Sequence, residues 1–432
     1  MSIDNVGGLA AGIATEPEAS SKKIFWITWL GWMLDSFDLG IYIFILVPAI
    51  TELLTIEGIQ VSPANIARYG GYLFSIFMLG WACSMFWGWL ADRIGRVKVM
   101  CITILVYSVF TAACGLAAGL MSFAVFRFFA GFGVGGEWAA GTPLLQETVS
   151  EKERVKLAGW LHTATPAGFL IGSIASFLLP YIGWRGMFML GVLPALLTVL
   201  IRATVKEPAK WRHAAANPDR AKIKDLFTGK LSRNTWTSGI MMSCIILGVW
   251  SSTFWAPTLV STKLTQSGML PADAQKIASW AGIITNIGTL LACLAMPYIA
   301  TWFKMRRRTA LFFFLASFAV NIVAYLGAVQ WLNNVTLFIA LLPILGFFTN
   351  GVFALYTIWL PEMFPTLHRG LGSGFAFSFG RVLGAAGPSI VGMLVAYTGS
   401  FPYAIAIVSL IYLIGIPSIL MAPETGDKPL PA

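Results

Sequence analysis

Apolar residues fall in twelve long runs along this chain, separated by short polar breaks. The runs cover 24–50, 68–90, 97–118, 120–146, 155–180 and 184–205, then 234–260, 275–303, 309–330, 334–360, 370–397 and 401–421. Each reaches the ~20 residues that a helix needs to cross a bilayer. A helix satisfies its backbone hydrogen bonds within itself, so runs of this kind enter lipid as helices. The pattern predicts an all-α integral membrane protein with twelve transmembrane helices. One longer polar stretch splits them six and six. The chain divides into an N-terminal tail (1–21), a six-helix bundle (22–205), a linker (206–233), a second six-helix bundle (234–421) and a C-terminal tail (422–432).

Composition agrees. Of 432 residues 57% are hydrophobic and 11% charged, against about 25% charged in a soluble protein. The distribution of basic residues sets the orientation. With the N-terminus inside, the outer loops hold only Arg68, Arg185, Lys263 and Lys276, and two arginines, Arg127 and Arg381, lie within spans. The rest of the 29 Lys and Arg fall on the inner side. This positive-inside bias places both termini and the linker in the cytoplasm. The net charge of +10 therefore reflects topology and contact with anionic headgroups, with no nucleic-acid partner implied. The five cysteines all lie in apolar runs without metal spacing and read as packing residues. Residues 1–21 show no cleavable signal, so the first helix serves as its own targeting signal.

The two halves resemble each other. Glu147 precedes Arg154 by seven residues after the fourth run, and Glu362 precedes Arg369 by seven after the tenth. The same offset aligns Gly159 with Gly374 and Gly172 with Gly387. Internal repeats with a binding site between them are how secondary transporters are built.

Ionisable residues inside the runs are the candidate chemistry. Asp35 and Asp38 sit three residues apart, on neighbouring positions of one helix face. Each costs about 2.5–3.5 kcal/mol at mid-membrane on insertion scales, and such residues mark ion or proton paths. They are the first candidates for proton coupling; interhelical hydrogen bonding is the plainer alternative. Arg381, halfway along the eleventh run, offers a permanently charged fork that fits a carboxylate. It is the candidate substrate-binding group, with an ion pair to Asp35 or Asp38 as the structural alternative. Glu137, ten residues past Arg127 and about 15 Å nearer the cytoplasm, reads either as a second proton carrier or as a packing carboxyl. Glu147 and Glu362, at inner helix ends, are assigned to gating through loop arginines such as Arg154 and Arg369. His162 is a minor candidate for a pH-sensitive step. Trp32, Tyr42, Tyr72, Trp250, Trp255, Tyr356 and Trp359 are candidate aromatic cavity walls.

Motifs then point to a family. Gly88, Leu90, Asp92, Arg93, Gly95 and Arg96 stand in the spacing of the loop between the second and third helices of the major facilitator superfamily, which this chain resembles. In that motif Gly88 allows close packing, Gly95 makes a tight turn, and Asp92 pairs with arginines. Arg127, Gly131 and Gly133 resemble the fourth-helix motif of proton-coupled members, which implies a role for Arg127 in proton relay or in pairing with an acid of the first helix. Pro361, Glu362, Pro365, Arg369 and Gly370 resemble a motif of sugar porters and organic-ion transporters. Asp35, Phe37 and Asp38 are similar to the first-helix element of aromatic-acid:proton and sialate:proton symporters, with Ser36 in place of the usual glycine. The run from Gly131 to Trp138 resembles the sialate and monocarboxylate group. A basic residue in the eleventh helix is associated in organic-anion transporters with anion recognition, which points again to Arg381.

No phosphate-binding or dinucleotide loop and no metal-spaced cluster is visible in the sequence, so no enzyme activity and no cofactor is expected and an ion gradient is the energy source. The expectation is a monomeric, proton-coupled importer of a small carboxylate in a bacterial inner membrane. An organic-cation porter, a sugar-like porter, an efflux antiporter and a non-transporting sensor stay open as alternatives.

Overall fold

The computed structural model describes residues 21–83, 85–148, 157, 160–204, 222–365 and 368–426. Ten helices among the described residues are long and apolar enough to cross a membrane. One of them, Trp160–Leu197, has 38 residues and would measure ~57 Å as a single rod, about twice the hydrocarbon thickness. Gly183 breaks it with φ 66° and ψ 173°, which divides it into two spans. The helix Leu120–Thr148, apolar over Leu120–Gly136, supplies the twelfth span.

The spans are α1 (Ser21–Ile56), α2 (Pro63–Ala82, then Met85–Ile94), α3 (Arg96–Cys114), α4 (Leu120–Thr148), α5 (160–182) and α6 (184–204). The second half has α7 (Gly229–Ser252, then Ala256–Gln266), α8 (Pro271–Trp302) and α9 (Arg306–Asn321, running on as a π-helix over Ile322–Trp331). It closes with α10 (Val335–Thr349, then Val352–Glu362), α11 (Arg369–Gly384, then Ala386–Thr398) and α12 (401–421). Helix α7 begins at Gly229, so the last residues of the 206–233 segment are already helical. Local signals set the ends. Ser62 caps α2, its hydroxyl accepting from the Asn65 N–H at 3.2 Å, with Pro63 at the first helical position. Gly95 joins α2 to α3 at φ 118°, a conformation that favours glycine.

Within the first half α4 packs on α2 and α3, and α1 on α5; within the second, α7 packs on α11 and α8 on α10. The halves meet along two seams, α2 with α11 and α5 with α8. Each seam carries a serine pair at 2.6 Å, Ser75 with Ser389 and Ser176 with Ser279. Both pairs lie on the side away from the linker. The most exposed aromatics, Tyr397 (90%), Tyr181 (85%) and Trp302 (80%), stand at helix ends, where amphipathic rings settle at a membrane interface.

Candidate functional site

Helix α1 carries Asp35 and Asp38 into the interior, where they are 3% and 1% exposed. Arg127 of α4 is fully buried and places Nη1 3.8 Å from Asp38 Oδ2. The guanidinium lies between two ring faces, Tyr42 of α1 and Phe77 of α2, each 4.2 Å from its carbon. The Tyr42 hydroxyl donates to the Gly70 carbonyl at 3.2 Å and fixes that ring. Gly131, one turn beyond Arg127, explains the approach of α2. A Cβ there would run into the Phe77 carbonyl oxygen, and one on Gly80 into that of Phe128. The arginine-to-glycine spacing read in the sequence is thus what lets Phe77 reach the cation. Ion pairing and two ring faces together hold a charge that lipid or packed hydrocarbon alone would not accept.

Arg381 occupies a different place. It is 6% exposed and lies on the α2–α11 seam, its guanidinium 4.4 Å from the Trp81 ring and 5.5 Å from that of Phe377. Trp81 meets Trp250 edge-on at 6.4 Å. The arginine that ion-pairs with Asp38 is therefore Arg127, within the first bundle, while Arg381 stands where the bundles touch.

Trp250 is also one wall of a cavity between the halves, with an empty volume of ≈ 730 Å³, its mouth included. Phe44 of α1, Phe169 of α5 and Phe353 of α10 form the other aromatic walls. Its polar groups are neutral: His162 and Thr165 from α5, Thr253 from α7, Thr285, Asn286 and Thr289 from α8, and Asn350 from α10. Three helices break beside it. Helix α5 is interrupted at Thr163, α7 at 253–255, and α10 at Asn350 and Gly351. Irregular backbone at membrane depth is tolerated where it lines such a cavity.

The other candidates are distributed around these two centres. His162 sits on the cavity wall, Trp32 packs edge-on against its ring at 5.5 Å, and Thr357 Oγ1 is 3.5 Å from its Nδ1. Tyr42 and Tyr356, expected as cavity walls, are instead fully buried within the bundles: Tyr42 on Arg127, and Tyr356 with its hydroxyl 3.5 Å from Met241 Sδ. Of the remaining aromatics proposed as walls, only Trp250 lines the cavity; Trp255 and Trp359 are buried and Tyr72 is exposed. Glu362 accepts two hydrogen bonds from Arg306, at 3.1 and 3.0 Å, and one from the Thr425 hydroxyl at 2.6 Å. Arg93 lies 4.0 Å over the Trp89 ring, with Gly88 one turn before it in α2 and Arg96 opening α3. The side chains of Asp92, Glu137, Glu147 and Arg369, and all of Arg154, lie outside the described residues. Sequence reasoning missed Thr289, Asn286 and Asn350. The available signal was an amide inside an apolar run, together with prolines four residues after His162 and Thr253.

Twelve membrane-length helices in two bundles, with buried charge and a cavity between the halves, define a multi-pass membrane protein built as a secondary transporter. The family model for the Major Facilitator Superfamily matches residues 28–332, and the chain belongs to that family. It is 28% identical over 418 residues to a putative niacin/nicotinamide transporter of Bacillus subtilis, covering 95% of this chain and 98% of that protein. It is likewise 28% identical over 373 residues to a cis,cis-muconate transport protein of Acinetobacter baylyi, covering 83% of this chain and 86% of the other. Among solved structures, a D-xylose-proton symporter superposes with a TM-score of 0.72 at 19% identity, over 94% of this chain and 99% of that one, a likeness of fold. The protein is a transporter of small molecules and not an enzyme.

Proposed function

We propose that the protein takes up a small organic anion bearing a carboxylate, coupled to protons, across a bacterial inner membrane with both termini in the cytoplasm. The observation that carries this reading is Arg381, a buried guanidinium on a seam between the bundles. A carboxylate entering from the cavity past Trp250 and Trp81 would meet its fork bidentately. Of the compounds for which these relatives are named, niacin and muconate carry carboxylate groups and favour the same substrate class, while nicotinamide is neutral. In this scheme Asp35 and Asp38 handle the proton. Protonating Asp38 would cancel its attraction to Arg127 and loosen α1 from α4, which gives proton binding a route to bundle movement. The halves would then rock about the α2–α11 and α5–α8 seams.

A second reading has its own support. The cavity's polar side chains are uncharged amides, hydroxyls and one histidine, which suits a neutral solute. Proteoliposome uptake under an imposed inward proton gradient separates the two, using carboxylates, cations and neutral solutes. Gradient-driven carboxylate uptake that is lost in Arg381→Ala, and no longer follows the gradient in Asp35→Asn, is expected. Uptake of a neutral solute that survives Arg381→Ala would replace the anion reading with the neutral one.

A further inference from the structure

The chain does not run straight from the linker into α7. Ile223–Phe227 form a short 3-10 turn, and α7 starts at Gly229, whose φ of 53° reverses the backbone. The turn folds back along the helix that follows it. Thr235 Oγ1 shares its proton between the carbonyls of Leu231 and Leu226, each at 2.8 Å. Leu226 therefore stands level with a residue six positions past Gly229, about 9 Å up α7. The apolar run of that span, 234–260, begins there. The turn lies at the membrane interface.

Packing holds it in place. Leu226 is fully buried. The Phe227 ring meets Trp236 of α7 at 5.7 Å and Phe375 of α11 at 5.2 Å. Phe379 closes this cycle of four rings, 5.7 Å from Trp236 and 5.6 Å from Phe375. Asp225, the one carboxylate between 222 and 236, is engaged inward by the Lys222 N–H and His368. The outward face then shows two kinds of group. Phe227 and Trp236 stay partly exposed and Ile223 is 53% exposed, while Lys222, Lys224 and Lys230 are all exposed. Apolar side chains set among lysines are the pattern of an element lying in a membrane surface. The lysine stems rest on apolar surface while their ammonium groups reach the headgroups.

We infer that this fold-back turn is a binding site for an anionic phospholipid of the cytoplasmic leaflet. Its acyl chains cover Ile223, Phe227 and Trp236, and its phosphate draws on Lys222, Lys224 and Lys230. Charge complementarity selects this occupant. A zwitterionic headgroup sets its own ammonium against the lysines, and a soluble phosphate leaves the apolar face uncovered. A lipid held there braces the turn against α7 and α11, the second of which carries Arg381. The site is independent of what the transporter carries.

The test is native mass spectrometry of the full chain in neutral detergent, titrated with phosphatidylglycerol, phosphatidylcholine or glycerol 1-phosphate. Phosphatidylglycerol is expected to bind most tightly. Lys222→Gln/Lys224→Gln should weaken it at least about tenfold, and Lys222→Arg/Lys224→Arg should not. Lys22→Gln/Lys23→Gln removes the same charge from the inner end of α1 and should change the affinity less than twofold. Ile223→Ser, an exposed position where folding is not at stake, should weaken the lipid as well. Equal affinity for the two lipids, binding of glycerol 1-phosphate as tight as that of the whole lipid, or equal losses from the two lysine-to-glutamine pairs overturns the inference.

Discussion

Replacing Asp38 by Asn leaves the Arg127 guanidinium fully buried without its carboxylate, 3.8 Å away in the native protein. Breaking a buried pair by removing one partner costs about 3–5 kcal/mol. Two ring faces at 4.2 Å remain and retain part of the stabilisation, so Asp38→Asn should cost about 3 kcal/mol. The reverse change is milder. In Arg127→Gln the orphaned carboxyl can be neutralised by a proton, whereas a guanidinium cannot shed its charge, so about 2 kcal/mol is expected. The double variant Asp38→Asn/Arg127→Gln holds two neutral groups of similar shape and should cost about as much as Asp38→Asn alone. The coupling is then roughly −2 kcal/mol, far outside the ~0.5 kcal/mol within which independent sites add. Denaturation in mixed micelles, with the four proteins compared under one condition, measures it. Additive losses would refute the claim that this pair is one energetic unit, and so would a larger loss from Arg127→Gln than from Asp38→Asn.

Gly131→Ala should separate α2 from α4, because its new Cβ meets the Phe77 carbonyl. Overpacking of this kind costs about 1–3 kcal/mol, and a substitution at nearby Ala130 to Gly should not reproduce the loss of thermal stability in detergent. Outside the membrane, Asp225 accepts from the Lys222 N–H at 2.9 Å and faces His368 Nε2 at 3.7 Å. The Lys222 N–H first, and His368 next, hold its carboxyl below the ordinary 3.8. A depressed carboxylate stabilises above its ordinary value and releases that contribution as pH falls through the folded value. Limited acid proteolysis should therefore show the segment around 222–227 becoming cleavable as pH drops below that ordinary value, and Asp225→Asn should already be cleaved at neutral pH at the rate the native protein reaches in acid.

Much of this protein is a local property of its chain. Whether a run of ~20 residues prefers lipid to water depends on those residues alone, so all twelve spans were legible. The turn at Gly95 and the glycine one turn past Arg127 were legible for the same reason: they answer needs of the backbone at a fixed spacing. Asp35, Asp38, Arg127 and Arg381 announced themselves because charge in an apolar run is expensive wherever it stands. Which charge meets which is another matter. Asp38 and Arg127 are 89 residues apart in the chain, and only the packing of α1, α2 and α4 brings the carboxylate and the rings of Tyr42 and Phe77 around the guanidinium. Tyr42 and Tyr356 could not be told from cavity walls, because an aromatic residue reads alike whether it faces a void, a cation or a neighbour. The cavity amides Asn286 and Asn350 carried too little local cost to stand out. Their meeting with His162 and Trp250 around one cavity is decided by the packing of helices far apart in the chain, which only the tertiary structure supplies.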